Sequence, residues 1–537
     1  MVQLNLKAKH PSYEGALPDW ELMRHSYEGE RRIKMETFKY LPPTNGMRVD
    51  GLAFKQLGWE CYQDYIMRAV YYDLLRDAVN AMLGMMHRKK PTIEVPAKLE
   101  PMLKRATVNN ESLETLLVKM NEQQLVTGRF GLLLDAPTGL DAAKALPFIS
   151  TYCTDSMFNW NQTVQDEGVA ELEFVVLNET GQVINASLEW TNQEKYLLVA
   201  SSDFLQRTFP DDPVVMALPP KTYVAGRAIG GSTLDMGSLK PPSIAGNTLE
   251  HVPFVFLGSR DLVPEPDHPP LLGLARTALS IYRTEADYRQ ALYMQAQDTL
   301  VVIGQTQESK KPGEGGNRLG ARGMISLPKG GDAKYIGAQS DGISDLQQAI
   351  MDGMTHATHQ GANMLDIKSG QAESGDALNI RVGSRTATLG SIARSGAQAL
   401  EKILQAAAEW VGADPEDVEV EANEDFAEAT ATPKDLLDYM SAKMLGAPAA
   451  KKTIHAFMQS SGLTKMTFEE EQDAIEEEGP VDDNLPPALL VQDKTRGVPG
   501  LPPGEEGDDP AAKGSAAKKP PAKAAKGKKG AKPPPKK

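Results

Sequence analysis

The chain has 537 residues and a formal net charge of −15, with 41% hydrophobic, 6% aromatic and 24% charged side chains. That length allows about three ordinary domains or one large elongated one, and the apolar fraction lies far from a disordered composition. Two cysteines, Cys61 and Cys153, make no disulfide framework, which excludes a secreted scaffold and points to synthesis in a reducing cytoplasm. The opening MVQLNLKAKHPSYEG is not expected to be a signal peptide. The apolar runs GLLLDA and DTLVVIG fall well short of the roughly 18 residues of a membrane span.

The charge is unevenly spread. Residues 511–537 carry ten lysines and no acids, leaving −25 on the other 510 residues. Residues 469–509 hold fourteen acids against Lys494 and Arg496. An acidic body argues against tight, phosphate-neutralising nucleic-acid binding. It is compatible with a surface that DNA passes without sticking.

Residues 1–60 read as turns with short amphipathic pieces. Residues 61–90 have helical spacing at Ile66, Ala69, Tyr72, Leu75, Val79 and Met82, ending at Gly84 and HRKK before Pro91. A second helix is predicted from Ser112 to about Thr127. The period then becomes strand-like in GRFGLLLDAP, LPFISTYC, VAELEFVVLNE, VINASLEW and KYLLVAS. A helical start followed by strands to about residue 260 predicts an α+β fold class.

From Pro269 a helix of about thirty residues is expected, with Leu274, Ile281 and Tyr288 repeating every seven residues and Leu271, Ala278 and Leu292 beside them. Such a narrow stripe suits contact with neighbouring helices. Short strands around a Gly/Lys/Arg-rich tip follow, and then a helix aligning Ile343, Leu346, Ile350, Met354 and Ala357. After the glycine-bounded break IKSGQAESG comes a third long helix, with Ser374 as N-cap and Asp376 in its first turn. Its apolar face is Leu389, Ile392, Ala393, Leu400, Ile403, Leu404, Ala407 and Val411. Residues 433–479 read as two or three short helices, and 480–537 as a disordered tail, acidic and then rich in Lys, Pro and Ala.

Signals for chemistry are weak. His356 and His359 are spaced to share a metal on a helix, but no third ligand has a motif relation to them. GEGGNRLGARG (Gly313–Gly323) fits neither a P-loop nor a dinucleotide-binding turn and reads as a flexible basic loop with Lys310, Lys311, Arg318, Arg322 and Lys329 around it. Asp135 ends an apolar strand, where a turn is the ordinary reading. No nucleophile elbow or paired-carboxylate motif emerges, so catalytic residues, metal and cofactor are all expected to be absent. The tail lysines, among them Lys518, Lys519, Lys528 and Lys529, should stay extended and attract polyanions, or serve solubility alone.

The order of these segments resembles that of tailed-bacteriophage portal (head-to-tail connector) proteins. The start is similar to one portal family long catalogued as a domain of unknown function, through Trp20, YEGERRI (Tyr27–Ile33) and YLPP (Tyr40–Pro43). GMMHRKKP (Gly84–Pro91), GRFGLLLDAP, FNWNQ (Phe158–Gln162), ESGDALNIR (Glu373–Arg381) and the acidic TFEEEQDAIEEEG resemble further elements of that family, so the likeness spans roughly 15–480. It implies the portal fold: a wing α+β domain at 1–265, a stem helix at 266–300, a clip at 301–341, a second stem helix at 342–365, a tunnel loop at 366–375, a long wing helix and return at 376–432, and a helical crown at 433–479.

By the same resemblance the chain would be a virion structural protein at one capsid vertex, a homo-oligomeric ring, usually of twelve. Double-stranded DNA would be packaged through it by terminase and ejected through it. Its partners would be the terminase large subunit, major capsid and scaffolding proteins and a head-completion or tail adaptor, with no membrane. Lys310, Lys311, Arg318, Arg322 and Lys329 would serve terminase or adaptor docking, and Lys368, Ser369, Gly370 and Gln371 would lie near the DNA. Arg381, Arg385 and Arg394 would pair with acids of the next subunit or form a solvated face. A phage DNA-processing enzyme such as a nuclease, and a non-ring adaptor with a nucleic-acid-binding tail, are the alternatives.

Overall fold

The computed structural model describes residues 4–137, 146–164, 170–295, 299–303, 332–336, 342–362, 375–423, 451–460, 464 and 466–478. It divides into a unit of residues 1–428 and a second of 429–537. The first unit mixes helix and sheet.

It opens with β1 (Leu4–Asn5), α1 (Pro11–Glu28), α2 (Glu30–Met35), α3 (Asn45–Val49), α4 (Leu57–Arg68), α5 (Leu74–Met86), β2 (Thr92–Glu94) and α6 (Leu113–Thr127). The 18-residue α1 replaces the expected turns and short pieces, although Pro18 stands inside it. An interior proline costs about 3 kcal/mol. Burial of Tyr13, Trp20 and Met23, at about 1.5–3 kcal/mol per large apolar side chain, offsets it. So does the two-pronged pair of Arg24 with Asp155, at 2.6 and 2.9 Å. Gly29, at φ +89°, turns α1 into α2, and a Cβ there would meet the Asp73 carboxylate at 2.6 Å.

The helix expected over 61–90 is instead two helices, α4 and α5, parted at Ala69–Asp73. Ala69 is extended (φ −62°, ψ 145°), and Tyr71 is buried edge-on against Tyr282, 5.8 Å between ring centres. Asp73 accepts from Glu30 N and pairs with Arg76. Contacts far along the chain break a periodicity that is locally continuous. In contrast, α6 has the expected bounds. Ser112 Oγ accepts from Thr115 N at 3.2 Å, and Gly128 at φ 71° ends it, as left-handed C-caps do.

The strands are β3 (Arg129–Asp135), β4 (Phe148–Cys153), β5 (Met157–Val164), β6 (Ala170–Asn178), β7 (Gly181–Ile184), β8 (Trp190–Gln193) and β9 (Lys195–Ser201). After the short helices α7 (Ser202–Thr208) and α8 (Pro213–Met216) come β10 (Tyr223–Ile229), β11 (Thr233–Leu234) and β12 (Phe254–Gly258). One antiparallel sheet has the order β10-β9-β6-β5 and another β12-β3-β4. β5, β10 and β12 add to the strands read from periodicity, and VINASLEW is a hairpin, β7 and β8, with Ile184 opposite Trp190.

Next come α9 (Leu272–Gln295), β13 (Thr299–Ile303), β14 (Asp332–Ile336), α10 (Gly342–Ala362), the 36-residue α11 (Gly375–Trp410) and β15 (Glu419–Glu421), which pairs with β2. At 1.5 Å per residue α11 is about 54 Å long. The apolar face expected on it is the one it buries. Leu389, Ile392, Ala393, Leu400, Ile403, Leu404 and Ala407 are at most 3% exposed, and Val411 packs at the edge. Trp410 closes the helix: its Nε1 donates to Asn247 O at 3.0 Å and its ring meets Tyr223 edge-on. Ser374, the expected N-cap, lies outside the described residues.

In the second unit α12 (Lys451–Ser460) and α13 (Phe468–Glu478) pack together. His455 lies edge-on to Phe468 and 2.9 Å from Glu471. The expected helix near 433–445 and the tail beyond 478 lie outside the described residues.

Candidate functional site

The helices α9 and α10 form an antiparallel pair, with strands β13 and β14 between them in the chain. The strands pair antiparallel from Thr299↔Ile336 to Ile303↔Asp332. Small and polar residues set the helix approach. A Cβ on Gly353 would come within 2.8 Å of Ile281 Cγ1, and Thr277 Oγ1 donates to Gln360 Oε1 at 2.8 Å.

The seven-residue stripe on α9 is largely covered by other helices of the same chain. Leu274, Ala275, Ala278, Leu279, Ile281, Tyr282 and Ala286 are buried, packed with α4, α5 and α10. The reason is local in space: α1, read from sequence as turns and short pieces, and α4 and α5, read as one helix, fold onto this face. Tyr65 Oη donates to Asp287 at 2.5 Å, and burial together with that carboxylate raises its pKa. Arg68 donates to Gln290 at 2.8 Å and lies 4.0 Å over the Tyr293 ring. Arg283 Nε donates to Tyr40 O, Arg276 pairs with Asp19, and the buried Glu285 accepts from Arg289 at 2.6 Å.

Toward β13 and β14 the cover thins. Leu292, Tyr293 and Met294 are 39–59% exposed and Ile343 and Leu346 half-buried, while Met351, mid-way along α10, is 58% exposed. The helical pair is therefore satisfied at its base and apolar on its surface near the strands.

Lys310, Lys311, Arg318, Arg322 and Lys329 belong to the 304–331 connection between the paired strands and lie outside the described residues. The same holds for Lys368, Ser369, Gly370 and Gln371, between α10 and α11, and for the tail lysines Lys518, Lys519, Lys528 and Lys529. Arg381 and Arg385 fall within α11, but their side chains lie outside the description. Arg394 is exposed on α11 between the buried Ala393 and Ser395.

The weaker chemical signals resolve into structural contacts. His356 Nε2 lies 3.0 Å from the Gln360 amide nitrogen, and among the described residues no three His, Cys, Asp or Glu side chains gather to hold a metal. Asp135 pairs with Arg227 at 3.1 Å. Arg227 also bridges to Glu179, which holds Lys195 at 2.8 Å and accepts from Tyr152 Oη at 2.9 Å. This network joins both sheets and keeps the Glu179 carboxyl below its ordinary pKa despite burial. GEGGNRLGARG lies outside the described residues. No helix among the described residues is long and apolar enough to cross a membrane.

Two clefts stand out. One, of about 520 Å³, lies between the segment after β12 (Ser259, Arg260, His268, Pro270) and α11 (Ala387, Thr388, Ser391, Ile392). The other, of about 570 Å³, follows α1 past Glu21, Arg24, His25, Arg32 and Asp155. Periodicity could not reveal His25 or Arg129, which are buried polar side chains. For Arg129 the signal in the sequence is a cation opening an otherwise apolar strand.

The family described as Domain of unknown function (DUF4055) matches residues 270–411, the stretch from the start of α9 to the end of α11. No curated protein matches the sequence. Among solved structures, a chain of "Virion of native gene transfer agent (GTA) particle" is similar at 13% identity, with a TM-score of 0.36, over 72% of this chain and 89% of that one. A chain of "Neck of empty GTA particle computed with C6 symmetry" is similar at 13% identity and a TM-score of 0.32, over 78% and 93%. A chain of "Neck of native GTA particle computed with C12 symmetry" is similar at 11% identity and a TM-score of 0.34, over 72% and 89%.

Proposed function

We propose that the protein is a tailed-phage portal protein: one subunit of a ring at a single capsid vertex, through which terminase packages DNA and DNA later leaves. The observation that carries this reading is the α9–β13–β14–α10–α11 order. Two antiparallel helices are joined through a strand pair and followed by a long helix, and apolar side chains stand exposed where the helices approach the strands. Exposed Leu292, Tyr293, Met294 and Met351 suit side-by-side contact with copies of the same hairpin, since a head-to-tail contact that closes makes a ring. An acidic body suits a conduit, because a wall that neutralised phosphates would hold the DNA. Terminase and an adaptor would dock on 301–341, and the wing, tunnel-loop and crown roles follow the segment order.

The alternative enzyme would need acids clustered at strand ends. The candidate, Asp135, is instead held in an ion pair. Mass photometry and negative-stain microscopy of the purified full chain test the proposal. The expected result is a particle of several hundred kilodaltons with a central hole. A folded species of one 58.3 kDa chain at micromolar concentration would overturn it.

A further inference from the structure

The loop between α3 and α4 holds an aromatic ring out in water. Phe54 is 72% exposed, and Val49 and Leu57, on either side of it in the chain, are 86% and 62% exposed. The loop is fixed by its own contacts. Gly51 has φ +88° and Lys55 φ +67°, the latter uncommon for a residue with a Cβ. Ala53 N donates to Gln56 Oε1 at 2.9 Å, and a Cβ on Gly58 would collide with the Met47 and Gly51 carbonyl oxygens. Trp59 meets the Phe54 ring edge-on, 5.0 Å between centres, and Lys55 Nζ lies 5.3 Å from the Phe54 centre. Burial of such a ring is favourable, yet within the chain it stays outside.

An apolar cleft of about 150 Å³ opens elsewhere in the same unit. It is lined by Val176 and Leu198 from the sheet, Leu4 from β1, and Phe204 and Phe209 from α7 and its end. Val176 lies opposite Leu198 across β6 and β9, which puts both on one face of the sheet. A cavity of about this volume lined by such side chains stays dry and takes a benzene ring. The charges agree with the sizes. Lys55 accompanies the ring, and the acids Asp203 and Asp211 stand exposed beside Phe204 and Phe209 in the chain. Arg207, also exposed, is paired with Glu173.

We propose that the Phe54 ring of one copy seats in this cleft of a second copy. The occupant is a copy because the chain itself carries both ring and receptacle, matched in size and charge. Ring and cleft are different surfaces, so the contact is head-to-tail and each copy can use both, as closed rings require. An aromatic anchor filling an apolar pocket concentrates the binding energy of an interface, and the opposite charges beside it fix its orientation. The contact rests on the reading of the chain as a subunit of a ring. It adds to that reading a seam separate from the exposed side chains of α9 and α10.

The test uses the full chain with Phe54→Asp, which removes the ring, and Asn5→Trp, which adds an indole where Asn5 lines the cleft. Both positions are exposed, and melting as in the parent shows that each variant folds. Mass photometry over a concentration series should show self-association weakened about thirty-fold or more in each, the loss of a central anchor. An equimolar mixture keeps one intact ring and one intact cleft per pair. It should give a two-chain species at a concentration where neither variant associates alone. Parent-like assembly of Phe54→Asp overturns the contact and leaves the ring reading standing. A mixture with no two-chain species also overturns it, as when residues 1–3 of the same chain or another protein fill the cleft. A parent chain that stays single at micromolar concentration overturns both.

Discussion

Gly396 of α11 and Asn121 of α6 lie so close that a Cβ on the glycine would come within 2.5 Å of the Asn121 amide nitrogen. That approach shelters a buried polar chain. Asn121 Nδ2 donates to Gln124 Oε1 at 2.8 Å, and Gln124 Nε2 donates both to Gly258 O at 2.7 Å and to Ser395 Oγ at 2.8 Å. Three elements distant in sequence are thereby held in one register.

Gly396→Val should therefore destabilise the chain by about 1–3 kcal/mol, the usual cost of overpacking, with disturbance of the Gln124 bonds adding to it. Urea midpoints measure this. Val at the exposed Gln398 should change stability by no more than about 1 kcal/mol, from lost helix propensity.

The exposed apolar side chains of the helical pair separate folding from assembly. Met294→Lys with Met351→Lys should leave the melting of the single chain within about 0.5 kcal/mol, as exposed positions do. The same pair should abolish the large species in mass photometry. Loss of the fold together with assembly would show that these side chains serve the chain itself.

His25 makes stability pH-dependent. Arg32 can only donate to His25 Nε2, 3.0 Å away, so the ring proton sits on Nδ1 and is donated to Tyr40 Oη at 2.7 Å. Burial first, then Arg32, lowers its pKa from 6.5, with Lys39 adding to this and Glu36 and Glu28 opposing. Burial lowers that of His87 in the same way. Below pH 6.5 the unfolded chain takes up protons that the folded chain refuses. Stability is thus full above that pH and falls as the pH drops toward the folded pKa values. Urea midpoints at pH 7.5 and 5.5 should show the fall, and His25→Gln with His87→Gln should remove most of it. Glu122, raised by burial above its ordinary carboxylate value, works in the opposite direction.

If the chain is the portal subunit proposed above, reversing Lys310 and Lys311 to Glu should weaken docking of a packaging motor or adaptor while leaving the proposed ring intact. Negative-stain microscopy and a packaging assay read the two outcomes separately. A disassembled ring would refute the docking role of that connection.

What local sequence determined is what neighbours along the chain can enforce. Ser112 and Gly128 bound α6 because a cap hydroxyl and a left-handed glycine act on their own turn. The apolar face of α11 was legible because a 3.6-residue period persists over its buried length. Tertiary structure alone decided that Tyr71 leaves the helix to meet Tyr282, that α1 runs through Pro18, and that the α9 stripe is buried at its base by α4 and α5. It also placed Arg129 against the Trp160 and Phe256 rings. Each of these depends on residues brought together from distant parts of the chain, and their contact energy outweighs local preferences of a few kcal/mol that periodicity reads.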